Sequence, residues 1–114
     1  SSDLTLLSTT LLAQGRHEEA RREAEEGVRA LEAMRGQGAY AVGMHLALAE
    51  ACLAQEDLAA GEAALRKALG CVKARADDIP DPAVRERFLR QVPENARTRQ
   101  LARECWGDDS PDLE

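Results

Sequence analysis

Two apolar stripes at helical spacing, joined by a four-residue hinge, constrain this chain more than any other feature. Leu4, Leu7 and Leu11 recur every three or four residues before Gln14-Gly15-Arg16-His17, and Ala20, Ala24, Gly27, Val28, Leu31 and Met34 recur after it. Neither stripe buries its apolar face alone, so the pair is expected to form an antiparallel helical hairpin that needs a second hairpin beside it. A sheet is a poor alternative. Apolar residues make up 44% of the chain and aromatics only 3%, and a core of small residues with high helix propensity suits closely packed helices.

The same spacing continues downstream. Helix 1 is expected from about Asp3, a short acceptor that caps the first free amides, to Gln14 and Gly15. Helix 2 follows from about His17 to Met34 or Arg35, with Glu18 and Glu19 where the helix dipole favours anions. Its outer face pairs Glu18 with Arg22, Arg21 with Glu25, Arg22 with Glu26 and Glu25 with Arg29, each four apart, which reads as a solvated face. Gly36-Gln37-Gly38 breaks the helix. Helix 3 is expected from about Ala39 to Ala54, apolar on more than one side and so packed between neighbours. Helix 4 opens near Asp57 and ends before Asp77 and Asp78. Pro82 and Pro93 each start a further helix, about Pro82 to Gln91 with Val84, Phe88 and Leu89 inward, and Pro93 to about Trp106.

Laid over each other at an offset of 41 residues, the first two hairpins match: Gln14, Ala20, Ala24, Gly27 and Val28 fall on Gln55, Gly61, Leu65, Ala68 and Leu69, and Leu7 and Leu11 on Leu48 and Cys52. Small residues recur where helices of a hairpin must cross closely, so the repeat has a physical mechanism. The chain therefore divides into a hairpin at 1–38, a second at 39–78, a closing hairpin at 79–106 and an acidic, Pro-containing tail at 107–114 that is expected to fray.

The segment LLAQGRHEEARREAEEGV resembles a tetratricopeptide repeat, with large apolar residues in the first helix, the Gln14-Gly15 turn, Ala20 opening the second helix and Gly27 further along. Helices 3 and 4 resemble a second copy. Ser8 and Ala49 stand where that family usually has Gly, Leu4 and His45 where it has an aromatic, and Glu56 where it has the turn Gly. The period also exceeds the usual one of about 34 residues, as in longer-helix variants from large bacterial regulators. The string IPDPAVRERFLRQVPENARTRQLARE resembles the closing segment of such repeats at the C-termini of bacterial signalling proteins that join a kinase, cyclase or ATPase to a repeat array. The resemblance implies an all-α, α-α superhelix of antiparallel hairpins with about six helices, the last hairpin covering the end of the solenoid. The chain lacks an initiator Met, and we expect it to be a piece of a longer protein.

Charge and motifs narrow the function. Fifteen basic residues against 21 acidic ones give a net charge of -6, an unfavourable background for nucleic acid. No run approaches a membrane span and no signal peptide opens the chain. Cys52, Cys71 and Cys105 are odd in number and far apart, which reads as buried thiols in a reducing, cytoplasmic compartment. No metal or cofactor is expected: there is no CxxC, and His17-Glu18-Glu19-Ala20-Arg21 lacks the second His of a zinc helix. His45 and Cys52 lie two helical turns apart, roughly 10 Å along the axis, too far to act as base and nucleophile. Arg85, Arg87, Arg90, Arg97, Arg99 and Arg103 make the closing hairpin basic, read first as ion pairing within it and second as a contact for an acidic partner.

The resemblance implies a concave groove built from the first helix of each hairpin, lined by Thr5, Thr9, Leu12 and Ala13 from helix 1 and by Gly43, Leu46, Glu50, Leu53 and Ala54 from helix 3. The Lys and Asn clamps by which some members of that family hold a peptide carboxylate are missing there. An apolar or helical segment is the expected occupant, from a partner protein or from an upstream domain of the same chain. The expected function is a non-enzymatic protein-protein interaction module of a regulatory protein. The alternative is a purely structural end cap that self-associates as a homodimer through its exposed first hairpin. Glu at positions 46 and 53 is expected to abolish capture without unfolding the helices.

Overall fold

The computed structural model describes residues 2–33 and 39–107, and the side chains of residues 6–33 and 41–107. Among the described residues it is all-α, with six helices: α1 (Ser2–Ala13), α2 (His17–Ala33), α3 (Ala39–Ala54), α4 (Leu58–Asp77), α5 (Pro82–Gln91) and α6 (Pro93–Trp106). The glycine break at 36–38, the end of the α2 stripe at Met34, and the acidic tail beyond Gly107 lie outside the described residues.

The starts of α4 and α5 and the end of α6 have local reasons visible in their residues. Asp57 accepts from the Ala60 amide and opens α4. Asp81 accepts from the amides of Ala83 at 2.8 Å and Val84 at 3.5 Å and opens α5, whose first residue, Pro82, has no amide to satisfy. Gly107, at φ 76°, closes α6 and donates its amide to the Arg103 carbonyl.

The two turns that close α1 and α3 are the same structure displaced by 41 residues. Gly15 N donates to Leu12 O at 3.0 Å and Arg16 N to Leu11 O at 2.9 Å; Glu56 N donates to Leu53 O and Asp57 N to Cys52 O, both at 3.0 Å. This is the Schellman pattern, which needs a left-handed residue just past the helix. Gly15 takes that conformation at φ 79°, and Glu56 takes it at φ 62°. A side chain there costs about 1 kcal/mol. Glu56→Gly should therefore stabilise the protein by about 1 kcal/mol, read as a higher urea midpoint at unchanged slope.

α3 is the centre. It packs against α1, α2, α4 and α6, which is why Val42, Met44, Ala49, Ala51 and Cys52 are all buried around its circumference. α2 presents Ala20, Ala24, Gly27, Val28 and Leu31 inward, and α4 presents Gly61, Leu65, Ala68, Leu69 and Val72. The small positions let the backbones approach. A Cβ on Gly61 would stand 2.7 Å from Leu53 Cδ2 and 2.8 Å from its Cγ. Ser8, buried on α1, satisfies its hydroxyl by donating to the Ala20 carbonyl at 2.8 Å.

The closing hairpin departs from the sequence-based expectation in one respect. α5 has no buried residue: Val84 is 38% exposed, and Phe88 and Leu89 are only half-buried. A ten-residue helix that touches only α4 and α6 cannot enclose its stripe, and polar contacts hold it instead. Arg85 donates to the carbonyls of Ala76 and Ile79, closing the end of α4, and Asn95, buried on α6, donates to Phe88 O at 3.0 Å. The Arg75 guanidinium lies 5.5 Å from the centre of the Phe88 ring. α6 supplies the apolar cover, burying Leu101 and Ala102 against Leu46, Leu65 and Leu69.

Candidate protein-binding groove

α1, α3 and α6 enclose an open cleft of about 250 Å³. Its α3 wall is Gly43, Leu46, Ala47 and Glu50, residues on one face because they recur every three or four positions. Thr9 of α1 forms one rim, and Pro93, Glu94 and Arg97 of α6 the other. Across it, Arg97 Nε donates to Glu50 Oε1 at 2.7 Å, tying α6 to α3. The floor is small and apolar, and the rim carries two carboxylates against one guanidinium.

Of the residues expected to line the groove, Thr9, Gly43, Leu46 and Glu50 lie together on this cleft. The side chain of Thr5 lies outside the described residues. Leu12 instead packs on the cluster of Leu11, Ala20 and Ala51. Ala13 is exposed near the end of α1, and Ala54 is half-buried at the end of α3. Leu53 packs against the Leu65-centred core and beside Gly61. Leu46 is only 8% exposed and belongs to the same core, so a charge at 46 reaches the fold as well as the groove. The α6 residues were not anticipated, because nothing local says that Arg97 reaches back to α3 rather than pairing within its own hairpin.

Electrostatics favours neutral thiols and a neutral imidazole. Burial pushes the Cys52, Cys71 and Cys105 thiols up, so they carry little thiolate near neutrality. Burial pulls His45 down, helped by Lys67 and opposed by Glu32, and its Nδ1 has no hydrogen-bond partner among the described residues. Asp57 is held below the usual carboxylate range, first by the Ala60 amide and then by Arg21, which crosses from α2 at 2.9 Å. Among the described residues, no three His, Cys, Asp or Glu side chains gather as a metal site, and no helix is long and apolar enough to cross a membrane. Against family models, curated proteins and solved structures, the chain has no match.

His45 makes stability pH-dependent. Its folded pKa is depressed, so the unfolded chain takes up the proton first as pH falls below the unperturbed value of about 6.5. The contribution is fully present above that pH and is lost as pH falls towards the folded value. The urea midpoint should drop between pH 7.5 and pH 5.5, and the part due to His45 should vanish in His45→Gln.

Proposed function

We propose that this chain is a non-enzymatic protein-interaction module of tetratricopeptide-like build, part of a larger regulatory or signalling protein of bacterial type. Its cleft receives an apolar helical segment from a partner or from an upstream domain of the same chain. The carrying observation is the convergence of Thr9, Gly43, Leu46 and Glu50 on one cleft between three helices. The matching turns at Gly15 and Glu56 support the repeat on which the tetratricopeptide likeness rests. Small floor residues admit a helix ridge, and the rim has too little cationic character to clamp a carboxylate. The three free cysteines fit a reducing, cytoplasmic compartment.

A photo-cross-linking residue at Thr9, exposed on the rim, should capture a discrete segment with an apolar stripe. Arg97→Trp, which fills the cleft from an exposed position, should reduce that capture at least tenfold. Equal capture from Ala63, exposed on α4, would reject the groove. A second reading, self-association through α1, is favoured by Leu6 at 67% and Leu7 at 43% exposure. Light scattering over a dilution series separates the two, since only self-association gives a mass that falls towards the monomer.

A further inference from the structure

The outer face of α1 is exposed, largely apolar and free of charge. Leu6, Leu7 and Thr10 lie open on it, and from Leu6 to Ala13 the helix carries no charged residue in a chain that is 32% charged. α2 meets solvent quite differently, through Glu18, Arg22, Glu26 and Arg29. A helix face without charge is the composition of a covered surface rather than a wet one.

The internal repeat indicates what covers it. At the offset of 41 residues, Leu6 falls on Ala47, Leu7 on Leu48 and Thr10 on Ala51 of α3. Ala47 is buried. Ala51 has no exposed surface and packs with Leu11 of α1 and Ala20 of α2, and Leu48 packs against the cluster that holds Val28 and Leu31 of α2. The positions by which α3 receives the first hairpin are therefore the positions that α1 leaves open. The backbone follows the same correspondence, since the turns after α1 and α3 make matching hydrogen bonds.

We propose that the outer face of α1 seats a further helical hairpin of the same polypeptide, held on α1 as the first hairpin is held on α3. Its second helix presents a stripe like that of α2, where Ala20 and Ala24 allow close approach and Val28 and Leu31 fill the gaps. A second copy of this chain is the poorer occupant. Its own α2 stripe is spent on Ala41 and Met44 of α3, and the corresponding α4 residues Leu65 and Leu69 are covered by α3 and α6, so neither offers a matching face. The proposal rests on the repeat and stands whatever the groove receives.

A copy of residues 1–41 joined ahead of Ser1 supplies such a hairpin in register. Thr10→Cys, placed only in the original α1, reports on the face through its alkylation rate, with the site identified by peptide mass. Alkylation should be at least tenfold slower in the extended chain than in the original, because position 10 then takes the place that Ala51 holds. Leu7→Asp in the original α1 should restore the fast rate in the extended chain. Ala63→Cys, exposed on α4, should react equally in both chains. Equal rates at position 10, or equal slowing at positions 10 and 63, overturn the proposal. So does alkylation of the original chain that slows as its concentration rises, since a second copy then covers the face.

Discussion

Leu65→Ala should destabilise the protein by about 3 kcal/mol. Leu65 has no exposed surface, and it sits among Leu46, Ala49, Ala64, Leu69, Leu101 and Ala102, a cluster in which α3, α4 and α6 meet. Half of those neighbours are alanines, whose short side chains cannot fill the vacated volume, and the cavity term adds to the lost transfer energy. A domain of this size has about 5–15 kcal/mol in total, and the variant should unfold at a much lower urea concentration. Leu6→Ala, with a side chain 67% exposed, is the matched control and should change stability by under about 0.5 kcal/mol. Similar losses from both variants would mean that the α3–α4–α6 cluster is not the centre of the fold.

Leu46→Glu should cost about 4 kcal/mol at pH 7, combining a lost apolar burial with a carboxylate placed where it has little water. The sequence reading treated this position as a groove residue that accepts a charge harmlessly. The structure makes Leu46 a floor residue on one side and a core residue on the other, at 8% exposure. The pH dependence identifies the cause. A carboxyl buried there has its folded pKa raised above the unfolded one, so the folded state binds more protons and the deficit is smallest at low pH. Comparing urea midpoints at pH 7.5 and pH 5.0 for the variant and the parent should show that narrowing, on top of the His45 effect common to both. The same reasoning recommends Thr9 and Arg97, both exposed, as the positions at which to perturb the groove.

The repeat gives one further physical lesson. Gly15 and Glu56 occupy the same turn, with the same hydrogen bonds, although only one is a residue for which the left-handed region is easy. The turn at Glu56 is imposed by its surroundings. α3 and α4 bury Ala49, Ala64, Leu65 and Leu69 in one cluster, and Asp57 both caps α4 and receives Arg21 from α2. Those contacts outweigh about 1 kcal/mol of local strain.

Helix limits were legible in the residues because the signals are local. Asp57, Asp81, Pro82 and Pro93 set helix starts through their own carboxylates and rings, and the stripes of α2 and α4 are buried where their periodicity put them. Half of the groove was legible for the same reason, since Gly43, Leu46 and Glu50 share a face by spacing alone. What tertiary structure alone decided was which helix faces which. α6 rather than α5 packs against α3, making Arg97 the partner of Glu50 and leaving α5 without a buried residue. Leu53 faces Gly61 and Leu12 faces Ala20, away from the cleft. Periodicity reports that a face is apolar, but the choice of its partner depends on contacts between residues tens of positions apart, and no local pattern carries that information.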